Sequence, residues 1–175
     1  AGIPQLRADH AEAIAEFAEV VVTHPQEPRD NLELYRLLGG LFDREEEAER
    51  LCERFEAAYA RAVGGERPAA DVLYLIWRDP WMTIAPETYI SRTLALFNWR
   101  TRYPEVDLEA VGREADRILL SSEPFHFKQQ HVEEVAAIVG DTPISLVDGE
   151  MTSWYGSRAI AGLEYLAAYT ERAAA

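Results

Sequence analysis

The second half of the chain alternates continuous apolar runs with amphipathic segments, and this alternation constrains the fold more than any other feature. Three apolar runs have the length of buried strands: residues 71–77, 117–121 and 143–148. Each is followed by a helical pattern, at about 88–97, 128–139 and 154–171. Strands that alternate with helices of ten or more residues indicate βαβ units, and continuous apolar runs indicate strands covered on both faces. The pattern therefore predicts an α/β fold whose parallel sheet is flanked by helices.

Residues 43–63 form a long amphipathic segment upstream of these strands, with apolar side chains at i, i+3, i+4 and i+7 spacing. Asp43 and Glu46 are predicted to cap its first turn, and Gly64-Gly65 to end it in a left-handed turn. At 1.5 Å per residue the helix would be roughly 30 Å long. It either connects two α/β segments or is an ordinary amphipathic helix of one domain, and periodicity alone does not separate these interpretations.

The first 42 residues contain too few strands to form a sheet of their own. A helix is predicted at 9–18, a buried strand at the β-branched run 19–23, and a second helix at 31–38 that ends at Gly39-Gly40. An unpaired strand is an aggregation-prone edge. We therefore expect residues 19–23 to join the downstream sheet, to pair with a second copy in a homodimer, or to complete protein that precedes residue 1.

Composition and charge exclude several classes of function. The 175 residues are 48% hydrophobic and 27% charged, as in globular proteins, and no apolar run has the length of a transmembrane helix. A net charge of −14 argues against a nucleic-acid partner, because phosphates require a basic surface. The single cysteine, Cys52, lies on the apolar face of the segment 43–63 and is predicted to be buried.

The sequence contains none of the common motifs for phosphate binding or hydrolysis: no G-x-G-x-x-G after a strand, no G-x-x-x-x-G-K-[ST] and no G-x-S-x-G. Ser121, Ser122 and His126 leave open a small cytoplasmic α/β enzyme of hydrolase type. His126 and His131 are five residues apart, which is not the i, i+4 spacing that places two imidazoles on one helical face. We therefore assign no catalytic residue and no metal site.

Aromatic residues gather in the segments that follow the three predicted strands. In an open parallel sheet the carboxyl ends of the strands lie along one edge, where ligands bind. The candidates for a ligand-binding surface there are one arginine and three aromatic residues: Arg78, Trp81, Trp154 and Tyr155. Such rings supply rigid contact area, and an arginine pairs bidentately with acidic oxygens. Trp77 and Phe127 are predicted instead to close the edge of the core.

Four segments, in this order and spacing, resemble the C-terminal lobe of the helical-backbone (class III) substrate-binding proteins of ABC importers. They are VLYLIWRDPWMTIAPETYISRTLAL, RYPEVDLEAV, ADRILLSSEPFHF and LVDGEMTSWYGSR. The resemblance extends from about Val20 to Tyr169. It implies one lobe of a two-lobed protein, with residues 1–42 as the remnant of the N-terminal lobe, 43–63 as the helix between the lobes and 64–175 as the C-terminal α/β lobe.

The activity of this family sets the functional expectations. Its members bind iron–siderophore complexes, haem or cobalamin between their lobes and deliver them to a membrane permease without catalysis. The resemblance thus implies a periplasmic or extracytoplasmic protein, associated with the membrane through its transporter, that binds a metal chelate and holds no covalent cofactor. In this family an acidic residue on each lobe engages the permease, and the candidates here are Glu123, Glu133 and Glu134.

The sequence also departs from the family pattern. Only residues 1–42 precede the connecting helix, where the family has a lobe of several strands. The segment FNWRTR follows the helix predicted to end at Phe97, where the family usually has a glycine-rich turn. We therefore expect a fragment or a shortened relative, and a shortened form that has lost transport would act as an interaction domain.

Overall fold

The computed structural model describes residues 8–101 and 106–174. Residues 102–105, which belong to the segment RYPEVDLEAV, lie outside this description, as do residues 1–7 and 175. The helices are α1 Ala8–Ala15, α2 Asp30–Leu41, α3 Glu45–Gly64, α4 Tyr89–Ala95, α5 Leu108–Glu114, α6 Gln129–Val139, α7 Gly149–Ser153 and α8 Ala159–Ala174. The strands are β1 Ala70–Trp77, β2 Met82–Thr83, β3 Trp99–Arg100, β4 Arg117–Ser121 and β5 Ile144–Val147. A 3-10 turn, Gly156–Arg158, precedes α8.

The strands form one sheet in the order β2-β1-β4-β5, and β3 pairs with the start of β1. The three long strands are parallel, with Leu73 of β1 opposite Ile118 of β4 and Leu120 of β4 opposite Leu146 of β5. The short β2 turns back antiparallel to β1. The predicted α/β fold, with a mostly parallel sheet flanked by helices, is therefore confirmed.

Both faces of the sheet are covered by helices, which explains why the central strands β1 and β4 are almost continuously apolar. Side chains alternate between the faces along β1. Tyr74 belongs to a buried cluster that includes Phe55 of α3 and Leu163 of α8. Leu73, the residue before it, belongs to a second cluster on the opposite face that includes Val135 of α6. The sheet is thus sandwiched between α3 and α8 on one side and α5 and α6 on the other.

Helix α3 buries the predicted apolar stripe. Phe55 is fully buried, and Leu51 and Tyr59 are partly buried against the same cluster. Cys52 is buried and unoxidised, with its Sγ 3.7 Å from the carbonyl oxygen of Leu32 in α2. The expectation that this face contacts protein is confirmed. The division of the chain into a lobe remnant, a connecting helix and a C-terminal lobe stays a prediction.

The predicted caps of α3 are wrong. The residue before the helix is Arg44, which makes no side-chain cap hydrogen bond. Asp43 takes a positive φ of 54° because it reverses the chain between α2 and α3, so it is not available as the cap paired with Glu46. At the other end Gly64 is the last helical residue, and Gly65 is extended with φ −83° rather than left-handed.

The predicted strand at residues 19–23 is also wrong. These residues lie outside any helix or strand, and Val21 and Val22 are exposed. A strand needs a hydrogen-bonding neighbour, and in the described part of the chain the sheet ends at β2 and β5 without reaching this run. Pro25 follows closely and has no N–H to donate. The proposed homodimer therefore has no strand through which to form and is unsupported.

Helix α2 continues through the predicted stop at Gly39-Gly40 and ends at Leu41. Gly39 is buried where α2 crosses α3, and a Cβ atom there would lie 2.6 Å from the Cβ of Ala48. The glycine therefore permits close helix packing instead of ending the helix. The last predicted helix begins later than expected, at Ala159, because α7 occupies residues 149–153 and the 3-10 turn residues 156–158.

Candidate functional site

The loops that follow β1, β4 and β5 lie at the carboxyl edge of the sheet, and we call them the rim. They comprise residues 78–81, 122–128 and 148–155. The amide of Gly149 donates to Ser122 Oγ at 2.8 Å, which ties the third loop to the second. A Cβ atom on Gly149 would lie 2.6 Å from Ser121 Oγ and 2.7 Å from the amide nitrogen of Glu123, so this close approach requires glycine.

A buried hydroxyl cluster lies beneath these two loops. Tyr74 donates from its hydroxyl to Ser121 Oγ at 3.0 Å and is also hydrogen-bonded to Thr152 Oγ1 in α7. Burial raises the pKa of Tyr74 to about 12, because ionisation would place a charge in the core. The cluster joins β1, β4 and α7, and it therefore holds the third rim loop in place from below.

The histidines near the second loop do not activate a serine hydroxyl in any described contact. His126 is exposed, and its Nδ1 lies 3.3 Å from the backbone oxygen of Ser122 rather than from Oγ. His131 accepts from the amide of Lys128 at 2.8 Å and thereby caps the start of α6. This geometry gives no support to the alternative of a hydrolase.

Arg78 and Trp81, in the first rim loop, are both engaged with protein. Arg78 binds Glu134 of α6 through two guanidinium nitrogens, with Nε 2.9 Å from Oε2 and Nη2 2.8 Å from Oε1. The hydrogen bond from the guanidinium lowers the pKa of Glu134. Trp81 is partly buried and stacks on Phe127, with ring centroids 6.2 Å apart and planes 7° from parallel.

Trp154 and Tyr155, in the third rim loop, are much more exposed. The Trp154 side chain is 48% exposed, and its indole Nε1 donates to Glu123 Oε2 at 2.9 Å. Tyr155 is 42% exposed, with its ring 6.0 Å from that of Tyr89 in α4 and edge-on to it. These two rings are open to a ligand without any rearrangement of the fold.

The structure pairs the predicted ligand residues with the predicted docking residues. Trp154 contacts Glu123, and Arg78 contacts Glu134. Glu133, the third docking candidate, is exposed on α6. Among the contacts of the described residues, none joins the Arg78 and Trp81 side of the rim to Trp154 and Tyr155. The roles assigned to all seven residues remain predictions.

A cavity of about 610 Å³ beside the rim was missed by the sequence reasoning. It lies between the irregular segment 22–27, helix α2 and one residue of α4. Its lining consists of Val22, Thr23, His24, Pro25, Gln26, Glu27, Asp30, Glu33, Leu34, Leu37 and Arg92. No motif marks these positions, because the cavity exists only where the irregular segment, α2 and α4 meet in space.

Asn31 connects this cavity region to the rim, and sequence reasoning missed it as well. The side chain is fully buried at the start of α2. Its Nδ2 donates to the carbonyl of Pro28 at 2.8 Å and to the hydroxyl of Tyr89 at 3.0 Å. Its Oδ1 accepts from the amide of Gly156 at 2.7 Å. The side-chain amide of Asn31 therefore holds three parts in place: the segment before α2, the ring of Tyr89 that contacts Tyr155, and the turn after the rim.

Residues 8–101 and 106–174 lack two further features. No group of three or more His, Cys, Asp and Glu side chains there is placed to hold a metal ion. None of the helices in that part of the chain combines the length and apolar character needed to cross a bilayer.

Comparison with known proteins finds likeness in structure only. No protein-family model matches the chain. No curated protein matches it either. Several solved structures do, among them the periplasmic heme-binding protein RhuT from Roseiflexus sp. RS-1 in its apo form. That structure has a TM-score of 0.74 and 19% sequence identity, over 100% of this chain and 74% of RhuT.

Two other solved structures extend this likeness. An ABC transporter substrate-binding protein from Listeria monocytogenes EGD-e has a TM-score of 0.73 and 15% identity, over 97% of this chain and 74% of that protein. The periplasmic vitamin B12 binding protein BtuF of Vibrio cholerae has a TM-score of 0.68 and 14% identity, over 94% and 69% of the two chains. The chain therefore has the fold of these binding proteins, and the resemblance inferred from its four segments is confirmed at the level of fold.

Proposed function

We propose that the chain is the substrate-binding component of an ABC importer and that it captures a metal chelate: cobalamin, haem or a ferric siderophore. The observation that carries the proposal is the structural likeness to RhuT over 100% of the chain, at a TM-score of 0.74. Other structures with this fold are described as binding vitamin B12 or heme. The same fold supports a protein that acts in the periplasm or outside the cytoplasm and passes its ligand to a membrane permease.

The chemistry of the rim suits this role. Trp154 and Tyr155 offer exposed rings at the edge of the sheet where ligands of open α/β folds bind. The chelator supplies most or all of the ligands of its metal, so the protein needs contact area more than a cluster of metal-binding side chains. Large aromatic side chains supply such area at a low cost in conformational entropy. We infer that the third rim loop is the principal ligand contact.

The arrangement of the acidic candidates favours Glu133 for contact with the permease. Glu134 is held by Arg78, and Glu123 accepts from Trp154. Glu133 lies between them in sequence and is exposed on α6. An exposed carboxylate is the group that basic residues of a permease would engage at least cost in desolvation.

Titration of intrinsic tryptophan fluorescence tests the proposal. The chain is titrated separately with haem, cyanocobalamin and ferrioxamine B, a ferric trihydroxamate. We expect saturable quenching by at least one chelate, because Trp154 lies in the proposed contact. Phe42 is an exposed aromatic residue outside the rim, so Phe42→Ala serves as a control for nonspecific hydrophobic binding and should titrate as wild type. No saturable response to any of the three chelates would contradict the proposed function.

A further inference from the structure

The arginines at the rim and just beyond it are already paired with carboxylates. Arg78 binds Glu134 through two nitrogens, and Arg158 in the turn after the rim lies 3.0 Å from Glu150 of α7. Lys128 is exposed at the far end of the second rim loop, but an anionic ligand that binds either arginine would have to replace its carboxylate. Because that exchanges one ion pair for another, it provides little net attraction for an anion.

The exposed aromatic surface of the rim lies beside a carboxylate. Glu123 accepts from the indole N–H of Trp154 at 2.9 Å, and Trp154 is 48% exposed. The π face of tryptophan attracts cations, and a negative charge at the ring edge adds to that attraction. Tyr155, the next residue, presents a second exposed ring. A ring face next to a carboxylate is the arrangement that recognises an organic cation.

The neighbouring cavity has the same sign of charge. Three carboxylates, those of Glu27, Asp30 and Glu33, line it with one guanidinium, that of Arg92. Its volume of about 610 Å³ falls in the range of roughly 300–1,000 Å³ found for small-molecule sites. Val22, Pro25, Leu34 and Leu37 add apolar surface to the lining, so the cavity can hold the body of an amphipathic ligand as well as its charge.

The rim and the cavity are joined through Asn31, which holds the Tyr89 hydroxyl and the amide of Gly156. Leu34, which lines the cavity, also lies against the turn after the rim, because a Cβ atom on Gly156 would be 3.7 Å from its Cδ2. Tyr155 directly precedes Gly156, so a ligand that extends from its ring across this turn reaches the edge of the acidic lining. Concave surfaces lined by one sign of charge focus the field and raise the local concentration of the opposite charge. The acidic lining and the concave form of the cavity would thus both favour a positively charged ligand.

We propose that this site selects a chelate with a positively charged side group over its neutral or anionic counterpart. The inference rests on the proposed function and narrows it to one class of ligand. Ferrioxamine B is a suitable probe, because its ferric centre is neutral and its free amine is protonated near neutral pH. Its N-acetyl derivative is neutral and its N-succinyl derivative is anionic, with the same ferric centre in all three.

The test compares these three probes in tryptophan quenching at 0.05 and 0.5 M salt. At low salt we expect ferrioxamine B to bind about tenfold more tightly than the N-acetyl form, and the N-succinyl form to bind most weakly. Salt screens exposed charges over a Debye length of about 10 Å at 0.1 M. We therefore expect the preference for the cation to shrink at least threefold at 0.5 M.

Charge-neutralising variants identify the carboxylates that cause the preference for the cationic chelate. Glu123→Gln and the double variant Glu27→Gln/Glu33→Gln should each reduce the preference for ferrioxamine B over its N-acetyl form by at least threefold. Glu53 is exposed on α3 and does not line the cavity, so Glu53→Gln removes the same charge as a control and should leave the preference unchanged. Circular dichroism confirms that each variant is folded.

The outcomes separate the two proposals. Equal binding of the three ferrioxamine forms, or tighter binding of the N-succinyl form, overturns the charge preference while the binding function stands. Tight binding of neutral cyanocobalamin or anionic haem without binding of ferrioxamine B overturns it as well. If no chelate of any charge binds, the proposed function fails, and the charge preference fails with it.

Discussion

The hydroxyl of Tyr74 holds together the part of the fold from which the rim projects. It is fully buried and hydrogen-bonded to Ser121 in β4 and to Thr152 in α7. In the sequence Tyr74 is one of several large residues in an apolar run. Its role in joining β1, β4 and α7 cannot be predicted from that run, because it depends on how these elements pack in space. Removing the hydroxyl leaves two buried hydroxyls with fewer partners, a change that costs about 1–3 kcal/mol.

The buried tyrosine predicts a specific loss of stability at alkaline pH. The pKa of Tyr74 is about 12 in the folded chain, against an ordinary value of 10.0. The contribution of the neutral hydroxyl to the stability of the fold is therefore complete below pH 10 and is lost as the pH rises towards 12. At pH 11 the ionisation of this one group in the unfolded chain has lowered the stability by on the order of 1 kcal/mol. We expect Tyr74→Phe to lose about that much less stability than wild type between pH 8 and pH 11.

Urea unfolding at the two pH values measures this difference. Tyr155 is exposed, so Tyr155→Phe provides a control that should follow wild type. An identical alkaline loss in wild type and Tyr74→Phe would contradict the account of the buried hydroxyl.

At the scale of elements, α2 and α3 pack closely because one of two adjacent glycines lies at their crossing. A Cβ atom at Gly39 would lie 2.6 Å from the Cβ of Ala48, whereas one at Gly40 meets nothing within 4 Å. Both glycines are inside α2, where alanine has the higher helix propensity by about 1 kcal/mol. Alanine substitutions at the two positions therefore measure the effect of helix packing and the effect of helix propensity separately.

We predict opposite effects of alanine at these two positions. Gly39→Ala should destabilise the protein by about 1–3 kcal/mol, because the helices must move apart. Gly40→Ala should be neutral or stabilising by up to about 1 kcal/mol. Thermal unfolding followed by circular dichroism gives both values, and the packing account fails if the two variants shift the midpoint in the same direction by similar amounts.

The same elements indicate how far the sequence predicts the fold. The strands 71–77 and 117–121 were predictable because burial on both faces leaves a nearly continuous apolar run. The run 143–148 also contains a strand, but that strand lies at the edge of the sheet and Leu146 is exposed. The predicted helix stop at Gly39-Gly40 and the predicted cap at Asp43 were wrong, because the conformation of these residues depends on how α2 packs against α3. The exposed valines 21–22 have strand propensity but no strand to pair with.

For the site, the rim could be predicted from the sequence and the cavity could not. Trp154 and Tyr155 were predictable because topology alone places them after a parallel strand. Asn31 and Arg92 were not, because they are brought together by contacts between α2, α4 and the turn after the rim, with no spacing signal along the chain.

At the scale of the whole molecule, the net charge of −14 means that no single surface carboxylate stands out in sequence. The structure distinguishes them by their partners. Glu134 and Glu123 are engaged at the rim, whereas Glu133 is exposed on α6. A permease with a basic docking face would therefore meet Glu133 without competing with an ion pair.

We predict that Glu133→Lys slows uptake of the ligand by cells that carry the permease, by at least threefold, while ligand affinity stays unchanged. Charge reversal at an interface acts mainly on the rate of association. Glu53→Lys places the same reversal on α3 and should leave uptake as in wild type. Equal uptake rates for the two variants would contradict a docking role for Glu133.

The central claim is that the third rim loop binds a metal chelate, and isothermal titration calorimetry of Trp154→Ala tests it most directly. Calorimetry does not depend on the fluorescence of the indole that the variant lacks. An aromatic anchor at the centre of a binding surface often contributes about 2 kcal/mol or more. We therefore predict that Trp154→Ala binds the chelate selected by the wild-type titrations at least tenfold more weakly, with an unchanged fold, and that Phe42→Ala binds it as wild type does. Wild-type affinity in folded Trp154→Ala would contradict the claim.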